Sequence, residues 1–123
     1  MTQFYIAVGS FFALLGVVAR SLSSHALLPL LEKNGKLNNF NLAADYLLFH
    51  ALALICVAIL CKMFPEGNFH RAGLAFIVGS VLFQGSVLVK SFVSIQPFGL
   101  ITPIGGFILI VGWFLLFVSA VRS

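Results

Sequence analysis

The chain has 123 residues, of which 61% are hydrophobic and only 8% are charged. A soluble domain carries about 25% charged residues, so this composition excludes an ordinary soluble enzyme, a disordered protein and a nucleic-acid binder, and it points to the bilayer as solvent. The net charge of +4, from seven basic and three acidic side chains, reads as loop charge beside lipid headgroups rather than as a DNA-binding face.

In chain order, the first uncharged stretch ends at Arg20 and predicts a span over about 3–22. Its start lacks a basic residue beyond the amino terminus, and its apolar run exceeds the roughly 7–15 residues of a signal peptide. It is therefore read as a retained span, although Ser24-His25-Ala26 weakly resembles a cleavage site. His25 to Leu31, with Pro29, is too short to cross and suits an interfacial helical turn. A polar first loop occupies about 32–41. Asn41 is placed to cap the second span, about 42–63, with Asp45 in its first turn at the positive dipole end. Cys56 and Cys61 lie in this run, point in different directions on a helix, and read as packing residues. Pro65-Glu66-Gly67-Asn68 signals a tight hairpin into the third span, about 72–91. Pro97 and Gly99 interrupt the last tract, so Thr102-Pro103 are expected to cap and start the fourth span, about 102–121. No period-2 alternation suggests a β-barrel. The expected fold is all-α: one domain over 1–123, an antiparallel bundle of four transmembrane helices.

Small residues mark the packing faces, because close backbone approach holds membrane helices together. They are Gly9, Ala13 and Gly16 in the first span, Ala72, Ala75, Gly79 and later Gly85-Ser86 in the third, and Gly105 and Gly112 in the fourth. Val8-Gly9-Ser10 recurs as Val78-Gly79-Ser80, which fits either a parallel duplication of helical hairpins or a chance match of apolar sequence, since the offset does not carry into spans two and four. The 14 Phe residues are expected mainly on lipid-facing sides, and Trp113 between helices. Basic residues divide evenly between the two sides, so charge gives no orientation.

Ionisable groups inside a span are costly, and each needs a reason. Arg20 either snorkels or pairs with Asp45 at the same membrane surface, which would lock the first hairpin. His50 lies within the hydrocarbon, with Tyr46 one turn before it, and His25 could converge on the same end of the bundle. A neutral, hydrogen-bonded histidine is one reading of His50; a proton relay, quinone contact or haem ligand is the other. Gln84-Gly85-Ser86 suits interhelical hydrogen bonding, and His70 and Arg71 read as headgroup contacts. No nucleophile–base set, carboxylate pair, phosphate loop or metal cluster appears, so no enzyme, metal or resident cofactor is expected.

Three segments are distinctive together: Gly99-Leu100-Ile101-Thr102-Pro103-Ile104-Gly105-Gly106 followed by Gly112-Trp113, Tyr46 through Leu54, and Ser24-His25-Ala26-Leu27. On these the chain resembles the YgdD-like family of small membrane proteins, catalogued as domain of unknown function 423, with a eukaryotic branch called transmembrane protein 256. The first motif departs from the family around Ala19 to Ser24, where an arginine and larger residues replace glycines, and Gln84 stands where the family has serine. The resemblance implies a four-span integral membrane protein, in the inner membrane if bacterial, and supplies no reaction. It draws attention to His25, Tyr46, His50, Thr102, Pro103, Gly105, Gly106 and Trp113. The expected role is a scaffold, assembly factor or accessory subunit acting through helix–helix contacts, with lipids, other membrane proteins or a second copy as partners. The alternative is binding or transport of a small molecule, lipid or proton centred on His25, Tyr46 and His50.

Overall fold

The computed structural model describes residues 2–93 and 98–122. They form α1 (Thr2–Ser24), α2 (Leu28–Lys33), α3 (Leu37–Met63), α4 (His70–Lys90) and α5 (Phe98–Arg122), with a 3-10 turn at Pro65–Gly67. The described residues contain no strand. All but the short α2 are long and apolar enough to cross a membrane. The protein is thus all-α, with four helices of membrane-spanning length.

The helices pair in a definite order: α1 lies on α3, α3 on α4, and α4 on α5. Glycines set these approaches. A Cβ at Gly9 would come within 2.9 Å of the Ala51 carbonyl oxygen, and one at Gly16 within 2.7 Å of Leu48, so α1 sits close on α3. A Cβ at Gly79 would meet Leu109 at 2.7 Å, one at Gly112 the Phe76 ring at 2.8 Å, and one at Gly105 the Phe83 backbone nitrogen, so α4 and α5 are closer still. The repeated Val-Gly-Ser segment places Gly9 and Gly79 on these two pair interfaces. Gly85 is different: nothing lies within 4 Å of its added Cβ.

The core runs through the centre of this arrangement, with Tyr5, Leu54, Val57, Ala72 and Phe76 fully buried. A second cluster of Ala19, Leu31, Phe40 and Ala44 seals the end where α2 folds over α1 and α3. Pro29 lies in the first turn of α2, where its missing N–H costs nothing. Gly35, at φ 67°, closes that helix. The Lys36 N–H bonds to Leu31 O at 2.9 Å and the Gly35 N–H to Glu32 O at 3.2 Å, the paired bonds of a Schellman stop. The chain then re-enters a helix at once, so α3 starts at Leu37.

That early start corrects the expected cap. Asn41 lies in the second turn of α3, and its side-chain oxygen accepts a hydrogen bond from the Ser23 hydroxyl at 2.6 Å, tying α3 to α1. Asp45 accordingly lies two turns into α3. The start of the last helix needs the same correction. α5 begins at Phe98, so Gly99 continues the helix and Pro103 is inside it. Thr102 spends its hydroxyl on Ser86 of α4, 2.6 Å away, instead of capping. Pro97 lies outside the described residues. At the opposite end, Asn68 adopts the left-handed conformation at φ 59° after the 3-10 turn and leads into α4.

Candidate functional site

His50 is buried at 5% exposure where α3, α4 and α5 converge. Its surroundings fix its chemistry. The Trp113 indole N–H donates to His50 Nε2 at 3.1 Å. An indole nitrogen only donates, so Nε2 must present a lone pair. The proton of the neutral ring then sits on Nδ1, which donates to the Tyr46 carbonyl oxygen at 2.7 Å. The Gln84 amide nitrogen stands 3.3 Å from the same Nδ1. Two N–H donors cannot bond each other, so the amide is assigned with its oxygen towards His50. With that assignment Oε1 gains a partner, and the amide nitrogen takes the buried position that has none. Aromatic rings complete the enclosure: Phe76 lies 5.6 Å from the imidazole and 4.8 Å from the Trp113 ring, centroid to centroid.

This side-chain set closes the floor of a lateral groove of about 980 Å³ between α3 and α5, above α4. Tyr46, Phe49 and His50 form one wall, and Phe83 of α4 forms the back. Pro103, Gly106, Phe107, Ile110 and Trp113 form the other wall. The groove opens outward, since Phe49, Phe107 and Ile110 are all largely exposed. Among the described residues the Tyr46 hydroxyl has no hydrogen-bond partner. It is a free polar group on an otherwise apolar wall. Gly106 matters by what it lacks: an added Cβ would touch only the Phe83 ring, at 3.4 Å, so a larger side chain there would point into the groove.

The expected cluster of His25, Tyr46 and His50 is only partly brought together. Tyr46 and His50 are neighbours, with ring centroids 6.2 Å apart, but their link runs through the Tyr46 backbone carbonyl and not its hydroxyl. His25 is an exposed turn residue after α1. The Ser23–Asn41 bond fixes it near the level of Asn41, about 13 Å along α3 from His50 at 1.5 Å per residue. His25 therefore leaves the site. A sequence carries no depth along a helix, so residue types alone do not separate His25 from His50. Arg20 and Asp45 face each other on α1 and α3, with Nε 3.1 Å from Oδ1 and both side chains 42% exposed.

The family-motif residues divide by task. Gly105 and Gly112 set the α4–α5 approach, Thr102 bonds Ser86, and Pro103, Gly106 and Trp113 line the groove. Trp113 does reach between helices, but 46% of it stays open on the groove. Two contacts had no signal in a single sequence. One is the Trp113–His50 bond across distant helices. The other is at the far end, where the Tyr5 hydroxyl donates to the His70 carbonyl at 3.0 Å and Cys61 Sγ lies 3.8 Å from His70 Nδ1. His70 is thus packed at the foot of α4 and is not simply a headgroup contact.

Both His50 nitrogens are engaged, and the nitrogen that would reach a haem iron already holds the Trp113 N–H. Among the described residues, no group of three or more metal-ligating side chains comes together. A family model described as a protein of unknown function (DUF423) matches residues 19–106. No curated protein and no solved structure matches the chain.

Proposed function

The chain belongs to the DUF423 family, which is defined without a function, and we propose from its geometry that it is a non-enzymatic membrane protein binding an amphipathic, mainly apolar molecule in the groove between α3 and α5. The groove itself carries this reading. Its volume of about 980 Å³ lies at the upper end of the roughly 300–1,000 Å³ of small-molecule sites. Such sites combine apolar walls with a few placed polar groups, and here those are the Tyr46 hydroxyl and the His50–Trp113 floor. The groove opens onto the lipid phase, so an apolar molecule enters without crossing water. In a bacterium the protein would reside in the inner membrane, because outer-membrane spans are closed β-barrels.

A scaffold or accessory role drew its support from the small-residue stripes. In the fold those residues are occupied within the chain: Gly9 and Gly16 against α3, Gly79 against α5, and Gly105 and Gly112 against α4. These five glycines are therefore not free to recruit another helix, whereas Gly85 stays open; the groove is the feature that favours the binding role.

Gly106→Leu provides the test. The new side chain should fill the groove while leaving the α4–α5 contact intact. Wild-type protein purified gently from native membranes should retain a lipid or apolar small molecule by native mass spectrometry, and Gly106→Leu of equal thermal stability should lose it. Equal retention by both proteins would overturn the proposal. So would a stoichiometric protein partner bound at the groove in place of a small molecule.

A further inference from the structure

Phe83 lines the groove and also a second cavity of about 270 Å³. The two follow one another along the same helices. On α3, Leu42 lines the small cavity one turn before Tyr46 lines the groove; on α5, Thr102 lines the small cavity and the adjacent Pro103 lines the groove. The character of the surface changes across Phe83. Beyond it the lining includes Lys36, Asn39, Lys90 and Ser91. Lys36 immediately precedes α3 and Lys90 ends α4, so both ammonium groups stand at the ends of spanning helices, the level of lipid headgroups.

Resting on the reading of the groove as a binding site, we propose that its occupant is an anionic phospholipid, with one acyl chain in the groove and its phosphate in the small cavity between Lys36 and Lys90. Charge complementarity selects this class. Both lysines are half-buried, and among the described residues neither has an ion-pair partner. The chain has three acidic residues, and none lines the cavity. Asp45 is engaged with Arg20, Glu32 belongs to α2, and Glu66 sits in the turn at the opposite end of α3. Basic pockets between helix ends recognise anionic headgroups, with lysine acting as a point charge on phosphate. A zwitterionic lipid would bring its own ammonium into this positive cavity. The Asn39 amide adds donors for phosphate or glycerol oxygens. The order of surfaces, cationic at the helix ends and apolar along them, matches the order of a phospholipid from headgroup to chain.

The experiment is competition between phosphatidylglycerol and phosphatidylcholine for the full-length protein in mixed micelles, counted as bound lipid by native mass spectrometry. Wild type should favour phosphatidylglycerol by roughly thirtyfold, the scale two lysines near an anionic headgroup provide. The double variant Lys36→Gln, Lys90→Gln should bind both lipids equally, and Lys36→Arg, Lys90→Arg should keep the preference. Raised salt should erode the preference in wild type, a readout that holds even if the glutamine variant does not fold. Equal binding of the two lipids by wild type, with loss of both in Gly106→Leu, would overturn this inference and leave the groove reading standing. Retention of neither lipid would overturn this inference, and the groove reading would fall with it only if protein from native membranes also carried no apolar molecule. Tight binding of inorganic phosphate that excludes phosphatidylglycerol would mark the cavity as a free-anion site and also overturn the inference.

Discussion

At the scale of single residues, the Trp113–His50 contact decides what the buried histidine can do. The indole can only donate and the Tyr46 carbonyl can only accept, so together they hold one tautomer and occupy both ring nitrogens. A relay through Nε2 would first have to displace the tryptophan. Nitrogen-15 NMR of labelled protein in micelles should therefore show His50 with a bare Nε2 and a protonated Nδ1. In Trp113→Phe the proton should stay on Nδ1, because the Tyr46 carbonyl 2.7 Å away still accepts from it, while the Nε2 resonance shifts as it loses its donor. Interhelical hydrogen bonds in membranes are worth about 0.6 kcal/mol on average and up to about 1.7, so the substitution should cost about 1 kcal/mol in a reversible unfolding titration. A wild-type ring protonated at Nε2 would contradict the assignment. The Arg20–Asp45 contact is a weaker feature, since both side chains are 42% exposed; pairs of this exposure contribute about 0.2–1 kcal/mol.

At the scale of helices, glycine position determines which neighbour each helix takes. Gly85 and Gly105 make the point, being glycines on the two partners of one pair with opposite surroundings. An added Cβ at Gly105 would stand 2.7 Å from the Leu82 carbonyl carbon and against the Phe83 backbone nitrogen. Backbone atoms cannot rotate away as a side-chain tip can, so α4 and α5 would have to separate. Gly105→Ala should destabilise by about 1–3 kcal/mol, the usual cost of overpacking. At Gly85 the same Cβ meets nothing within 4 Å, and alanine is better than glycine in a helix interior by roughly 0.5–1 kcal/mol. Gly85→Ala should leave stability unchanged or raise it. Thermal unfolding of the two variants side by side checks this, and a shift of both in the same direction would refute the account of the α4–α5 interface.

At the scale of the molecule, the four long helices were legible in the sequence because uncharged apolar runs of that length have few other solutions. Their boundaries were less legible. Asn41 and Thr102-Pro103 look like caps by residue type, yet each lies inside a helix and is used across an interface, on Ser23 and Ser86 respectively. In a chain that buries few polar groups, a hydroxyl or amide does more by joining two helices than by ending one. Gly35 carried the correct boundary, since its left-handed turn stops α2 and frees α3 to start at Leu37. Tyr46, His50, Pro103, Gly106 and Trp113 stood out in the sequence, but the groove that joins them did not. It exists because α5 is held on α4 by Gly79, Gly105 and Gly112, leaving a gap towards α3, and a pairing preference between helices has no periodicity to read. The arrangement does make one global demand. α3 is a single 27-residue helix, and at 1.5 Å per residue it reaches about 40 Å, more than the roughly 30 Å hydrocarbon core. Asn34 before it and Glu66 after it must therefore face opposite sides of the membrane. Single cysteines at these two exposed positions, in a Cys56→Ala, Cys61→Ala background, should differ in labelling by a membrane-impermeant maleimide added to sealed vesicles. One should react at once and the other only after permeabilisation. Neither substitution removes a lysine or arginine, so the charges that set orientation stay as they are. Labelling of both positions from one side would mean that α3 does not span, and the groove would then face water instead of lipid.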